Sequence, residues 1–192
     1  MSLEARKAVF FDRDGTLLVE VGYLNHPSLV IPYKFTVEAL KIAREGGFLL
    51  IVVTNQSGVA RGYITEEELG AINGKMKDIL REAGVPLDAV YYCPHHRAGK
   101  VAAYKRQCDC RKPGPGMGLE AARQFGIDLS RSYMIGDKET DVLFGRNLGV
   151  TPCLVRTGYG CYEERAMKET SPGDFHVFED VLAATEWIGG RG

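Results

Sequence analysis

The sequence predicts an α/β fold, a doubly wound and mostly parallel sheet with helices on both faces. Three observations carry that expectation. Apolar runs such as residues 8–11 and 48–53 have no alternating polar face, as strands buried on both sides require. Stretches with helical spacing separate the runs, in the manner of repeated strand-helix-strand units. Acidic or hydroxyl residues directly follow several runs, at the strand ends where open α/β sheets bind ligands.

The first strand is Lys7-Ala8-Val9-Phe10-Phe11, and Asp12, Asp14, Gly15 and Thr16 follow it at once. Residues 18–34 lack a sustained period and contain Gly22, Asn25, Pro27 and Pro32, so they read as a loop over the strand ends. A helix is predicted over 36–45, with Val37, Leu40 and Ala43 on one face and Gly46-Gly47 ending it. The second strand, 48–53, delivers Thr54-Asn55-Gln56-Ser57-Gly58 to the same end of the sheet as Asp12 if the crossover is right-handed. Residues 56–64 are expected as a covering loop.

Thr65 and Glu68 form a capping box ahead of Leu69, Ile72, Met76, Ile79, Leu80 and Ala83 at helical spacing, with Gly84 as the stop. A third strand spans 89–92, and 93–112 is an irregular loop rich in cysteine and basic residues. Pro115 and Gly126 bound a helix over 115–125. The fourth strand, 133–137, ends in an acid; a helix over 139–148 leads to a fifth strand through Cys153-Leu154-Val155. Residues 158–173 are expected as a mobile loop, and 175–178 and 180–188 as a last strand and helix.

With 192 residues, 45% hydrophobic and 26% charged, the chain suits one globular domain spanning 1–192. A net charge of −1 supplies no global attraction to nucleic acid or acidic membranes. No apolar run is long enough to span a bilayer and no charged-then-apolar leader is present, so a cytoplasmic protein is expected, as a monomer. Met1-Ser2-Leu3 reads as an expression remnant and is set aside. Five cysteines are an odd number, three of them crowded into 93–110, so a metal site is expected rather than a disulfide framework. Cys153 is expected in the core and Cys161 as a loop thiol.

Two aspartates one residue apart after a strand point to the same side and can share a divalent cation, although an Asx turn produces the same pattern. The run Phe11-Asp12-Arg13-Asp14-Gly15-Thr16-Leu17 resembles the first motif of the haloacid-dehalogenase-like phosphohydrolases. Thr54, Lys112 and Asp137 follow in that family's order. The resemblance implies a Rossmann-like fold, Asp12 as nucleophile and Asp14 as acid/base. It further implies Thr54 and Lys112 as donors to the phosphoryl oxygens, and Mg2+ held by Asp12, Asp137 and the carbonyl of Asp14. Lys138 and Asp141 are expected to hold Asp137 and Lys112 in register. Relatives that dehalogenate carbon lack the second acid; phosphomutases keep it, so that chemistry stays open.

Cys93, His95, Cys108 and Cys110 can complete a tetrahedral Zn2+ site with no open position, and hence a structural one. The alternative is free buried cysteines with a surface histidine. His96 is expected to face solvent. Arg111 and Lys112 follow the last ligand directly, so zinc would order this loop for them. The elements already placed fill the intervals from Asp14 to Thr54 and from Thr54 to Lys112, so no cap domain is expected.

The segments 54–62, 91–96 and 108–113 are similar to those of the D-glycero-manno-heptose-1,7-bisphosphate 7-phosphatases. That resemblance implies a sugar bisphosphate substrate, in nucleotide-activated heptose synthesis for lipopolysaccharide cores or surface glycans. It places Glu20, Val21, Gly22, Tyr23, Asn55, Gln56, Ser57, Arg111 and Lys138 along the substrate. Arg61 is an additional candidate for the second phosphate. Histidinol-phosphate phosphatase is the runner-up, since its second motif usually lacks the continuation seen at Ser57 to Gly62. A non-catalytic zinc-stabilised binding module is a third reading, and the paired acids speak against it. The preferred anomer stays open.

Overall fold

Successive side chains of a strand face opposite sides of its sheet, and this alternation divides the apolar runs between two cores. In the computed structural model, which describes residues 5–170, 173 and 175–191, β1 (Lys7–Phe11) sends Val9 and Phe11 to one face and Ala8 and Phe10 to the other. The strand β2 (Phe48–Asn55) divides in the same way, with Leu50 and Val52 on the first face and Leu49, Ile51 and Val53 on the second. Helices α1 (Thr36–Glu45), α3 (Glu66–Glu82) and α7 (Val181–Gly189) cover the first face through Leu40, Met76 and Ile188. Helices α4 (Gly116–Phe125) and α5 (Glu139–Leu148) cover the second through Met117 and Phe144.

The remaining strands are β3 (Ala89–Cys93), β4 (Tyr133–Gly136), β5 (Thr151–Val155) and β6 (His176–Phe178). All neighbours pair in parallel, in the order β3-β2-β1-β4-β5-β6. The winding therefore changes direction between β1 and β4, which leaves a crevice beyond their carboxyl ends. Phe11 pairs with Val52 on one side and Ile135 on the other, so the residues after each strand emerge side by side. The interval before α1 is a loop with one 3-10 turn, Pro27–Leu29. Thr65 caps α3 as expected: its hydroxyl accepts from the Glu68 N–H at 3.1 Å, and its own N–H donates to Glu68 at 2.7 Å. Cys153 is buried, as expected. No helix among the described residues is long and apolar enough to cross a membrane.

Two expected loops contain helices. Within 56–64 lies α2 (Ser57–Arg61), which buries Val59 and Ala60 and ends at Gly62 in the left-handed region, φ 74°. One turn and a half is too short for a helical period to register in the sequence. Within 158–173 lies α6 (Gly160–Thr170), so the exposed Cys161 is helical rather than a loop thiol. Its pattern is weak because Met167 is its one buried apolar anchor, packed on Val142 and Leu154. Charge pairs hold the rest: Glu164 takes Arg156 at 2.7 Å and Lys168 at 3.2 Å. Residues 171 and 172 of that expected loop, and Met1-Ser2-Leu3, lie outside the described residues.

Glycines inside helices separate propensity from packing. A Cβ at Gly70 of α3 meets nothing within 4 Å, whereas one at Gly118 of α4 would lie 2.3 Å from Leu148 Cδ2 and 2.9 Å from Phe144 Cζ. Gly70→Ala should stabilise by about 0.5–1 kcal/mol through helix propensity. Gly118→Ala should lose about 1–3 kcal/mol to overpacking, outweighing the same gain. Thermal melts of the two variants should therefore shift in opposite directions.

Candidate active site

β1 and β4 end beside one another, and each is followed by an acid. The Asp12 N–H donates to the Ile135 carbonyl at 2.9 Å, which fixes Asp12 at the mouth of the crevice. Gly15 lets the chain turn there with φ 85°, and it also makes room: a Cβ would sit 2.2 Å from Asp137 Oδ2. Asp12, Asp137 and Asp141 are buried, with carboxylate oxygens within 4.8 Å of one another. Asp137 Oδ2 accepts from the Tyr159 N–H at 2.9 Å, while Oδ1 is buried without a hydrogen-bond partner among the described residues. Burial, and next the Asp12 charge, push the Asp137 carboxyl up to about 8. Burial likewise raises Asp141, to about 6, although Lys112 draws it down.

Lys112 is the cation that enters this cluster. Its ammonium donates to Asp12 Oδ1 at 2.8 Å and the Val53 carbonyl at 2.8 Å, and it pairs with Asp141 Oδ1 at 2.6 Å. Burial would lower its pKa, but Asp12 and Asp141 outweigh that and raise it, so it stays charged. Asn55, at the tip of β2, grips the Lys112 backbone twice: Nδ2 donates to the Lys112 carbonyl and Oδ1 accepts from its N–H, each at 3.0 Å. The second strand thus registers the loop that carries the lysine.

Asp14 has a separate set of partners, Arg13 and Gln56. Arg13 Nε donates to Oδ1 at 3.0 Å and Nη2 to Oδ2 at 2.9 Å, a two-pronged grip. Gln56 Nε2 donates to Asp14 Oδ2 and to Thr54 Oγ1, each at 2.8 Å, tying both together. Burial would raise the Asp14 carboxyl, yet Arg13, Gln56 and Lys138 together hold it below the ordinary carboxylate range.

A cleft of about 390 Å³ opens over these groups. Asp12, Asp14, Thr54, Lys112, Glu20, Gly22, Tyr23, Asn55, Gln56, Ser57, Arg111 and Lys138 all line it. Val21 is not among the lining residues; it is 42% exposed. Arg61 does not line the cleft either, because α2 turns its guanidinium towards His96, 3.5 Å away. His96 is half-buried there rather than facing solvent freely. Lys138 pairs with Glu20 at 3.3 Å and lies 4.7 Å from the centre of the Tyr159 ring. Tyr159 also lines the cleft and was not anticipated from the sequence. The loop bearing it packs on the first motif: Thr157 Oγ1 donates to the Gly15 carbonyl at 2.6 Å, and a Cβ on Gly158 would sit 2.2 Å from Asp137 Oδ2. The available signal was Thr157-Gly158 following an apolar strand at the same sheet end.

Beside the cleft, Cys93, His95, Cys108 and Cys110 converge. The three sulfurs lie 3.2–3.4 Å apart, and His95 Nδ1 is 3.4 Å from Cys110 Sγ and 3.8 Å from Cys93 Sγ. Burial, and then the neighbouring Cys110 thiol, push Cys93 up. Arg106 Nη2 lies 2.7 Å from His95 Nε2, so in this arrangement Nε2 accepts and Nδ1 carries the proton. A metal on Nδ1 needs the other tautomer, with the Arg106 guanidinium turned away. Arg111 Nη1 donates to the His95 carbonyl at 3.2 Å, joining this cluster to the cleft wall.

Residues 109–184 match a family model described as HAD-hyrolase-like. The chain is 44% identical over 154 residues to the D-glycero-beta-D-manno-heptose-1,7-bisphosphate 7-phosphatase of Pasteurella multocida, covering 80% of this chain and 83% of that protein. It is 44% identical over 153 residues to the enzyme of the same name from Yersinia pestis, covering 79% and 81%. The crystal structure of the D,D-heptose 1,7-bisphosphate phosphatase from B. bronchiseptica, complexed with magnesium and phosphate, superposes with a TM-score of 0.86 at 30% identity, over 97% of this chain and 99% of that one. With two curated relatives at this identity and coverage, and one fold shared almost end to end, the chain belongs to the heptose-1,7-bisphosphate 7-phosphatase family of HAD-like hydrolases.

Proposed function

We propose that this chain removes the 7-phosphate of D-glycero-β-D-manno-heptose 1,7-bisphosphate through an aspartyl-phosphate on Asp12. The observation that carries the reading is the convergence of Asp12, Lys112 and Asp137, from three separate parts of the chain, beneath a cleft also lined by Thr54 and Asp14. The relatives' names specify the heptose and its β anomer, and not histidinol phosphate.

Phosphoryl transfer is chiefly a matter of alignment and of neutralising negative charge as it spreads. Asp12 attacks phosphorus in line while Lys112, charged and hydrogen-bonded to it, stays within reach of the phosphoryl oxygens. Thr54 donates its hydroxyl to the same oxygens. Asp14, ionised in the free site, takes up a proton when the negatively charged phosphate binds beside it, gives that proton to the departing sugar oxygen, then takes one from the water that cleaves the intermediate. Arg111, which lines the cleft, is a better candidate for the second phosphate than Arg61, which does not.

The acids fit a hard divalent cation: like charges crowd a buried volume, and Asp137 Oδ1 has no hydrogen-bond partner there among the described residues. Asp12, Asp137 and the Asp14 carbonyl would hold Mg2+, leaving Asp141 to its pairing with Lys112. When bound, Mg2+ would supply positive charge that offsets the repulsion of the attacking carboxylate for the phosphate. The three thiols and one imidazole fit Zn2+ with all four positions filled, a structural role. Zinc there would hold the loop through which Arg111 and Lys112 reach the cleft.

Asp12→Asn should abolish phosphate release from the heptose bisphosphate while circular dichroism remains that of the parent; full activity in this variant would overturn the assignment. The Asp137 shift sets a pH dependence. Its folded pKa is raised to about 8, so the metal-free folded protein keeps a proton that the unfolded chain loses from about pH 4. Metal-free stability should therefore fall as pH rises through that window. Mg2+ competes with the same proton, so the rise in melting temperature on adding Mg2+ should be larger at about pH 8 than at about pH 5. Removing zinc, or Cys108→Ser, should lower turnover without melting the sheet; unchanged turnover in protein verified as zinc-free would reject the ordering role.

A further inference from the structure

Arg13 heads the large side chains with no exposed surface, an unusual place for a guanidinium. Taking such a charge out of water costs several kcal/mol, and an apolar side chain of similar bulk would fill the space without that cost. What the guanidinium supplies instead is geometry. Two of its nitrogens hold the two oxygens of Asp14, and the third, Nη1, donates to Asn73 Oδ1 at 2.7 Å. Asn73 lies in the middle of α3, buried on the face where Ile72 and Met76 pack into the core. A brace thus runs from the helix through Asn73 and Arg13 to Asp14, and on through Gln56 to Thr54.

We propose that Arg13, braced by Asn73, is a positioning residue that sets the orientation of the Asp14 carboxyl for proton delivery to the leaving oxygen. The inference rests on the reading of Asp14 as the acid given above. In the first half-reaction an Asp12 oxygen bonds to phosphorus and the bond from phosphorus to the leaving oxygen breaks. That oxygen takes the Asp14 proton. A sugar alkoxide needs this proton in order to depart, whereas p-nitrophenolate leaves as a stable anion. Damage confined to Asp14 is therefore visible as a dependence on the leaving group, which a general loosening of the fold would not produce.

The test compares kcat/KM, which reports steps up to departure of the leaving group, for the heptose bisphosphate and for p-nitrophenyl phosphate. Should the heptose not be hydrolysed, the sugar phosphate that is turned over best takes its place. Arg13→Gln should lose about 10–100-fold on the sugar ester and less than about 3-fold on the aryl ester. Asn73→Ala should show the same pattern more weakly. Arg13→Lys should fall between, because an ammonium keeps the charge but not the fork. In an Asp14→Asn background, Arg13→Gln should add no further loss on either ester.

Equal losses on both esters, or an additive loss in the Asp14→Asn background, would overturn the inference while leaving the acid assignment intact. If Asp14→Asn itself fails to discriminate between the esters, the acid assignment falls and the inference with it. Should Arg13→Gln not fold, Asn73→Ala and Arg13→Lys, checked by thermal melting, carry the same comparison.

Discussion

Asp12, Asp137 and Asp141 crowd three carboxylates into one buried volume, where like charges repel and water cannot screen them. Much of the surrounding structure answers to that constraint. Lys112 brings one positive charge to Asp12 and Asp141, and Lys138 approaches from the rim. Burial and the Asp12 charge raise the Asp137 carboxyl to about 8, and its Oδ1, without a hydrogen-bond partner among the described residues, leaves a place for a divalent cation. Glycines at 15 and 158 yield the space that this carboxylate occupies.

Lys112 can do this only because its loop is held from two directions. Asn55 at the tip of β2 clasps its backbone, and the Cys93, His95, Cys108 and Cys110 cluster gathers the chain immediately before it. Arg111 spans the two, bonded to the His95 carbonyl while lining the cleft. The two carboxylates of the first motif meanwhile have separate surroundings. Asp12 faces Lys112 and the other acids, whereas Asp14 is tied to Arg13 and Gln56. Chemically equal side chains two residues apart thus have different environments, the arrangement that lets paired carboxylates take different roles.

Much of this was legible from residue pattern alone. Apolar runs without alternation marked β1 and β2 within a residue or two, and the capping box at Thr65 located the start of α3. Acids and hydroxyls after those runs marked the cleft end of the sheet. The short helix α2 and the charged helix α6 were not legible. One is shorter than a reliable period, and the other depends on Met167 and on Arg156, whose partners are set by folding. Tyr159 escaped for a related reason: Thr157-Gly158 after β5 marks the sheet end, but the contacts of Tyr159 with Asp137 and Lys138 are set by folding.

By itself the sequence determined the order of the strands and of the helices other than α2 and α6, the residue types delivered to the strand ends, and the four metal-ligand candidates, since each depends on local spacing. Tertiary structure decided which groups meet. It turned Arg61 towards His96, buried Arg13 against Asp14 and Asn73, and brought the loop after β5 over Asp137. Those choices depend on how helices pack across a twisted sheet and on where a buried charge finds its counter-charge. Contacts of that kind, between residues far apart along the chain, leave no periodicity in the sequence.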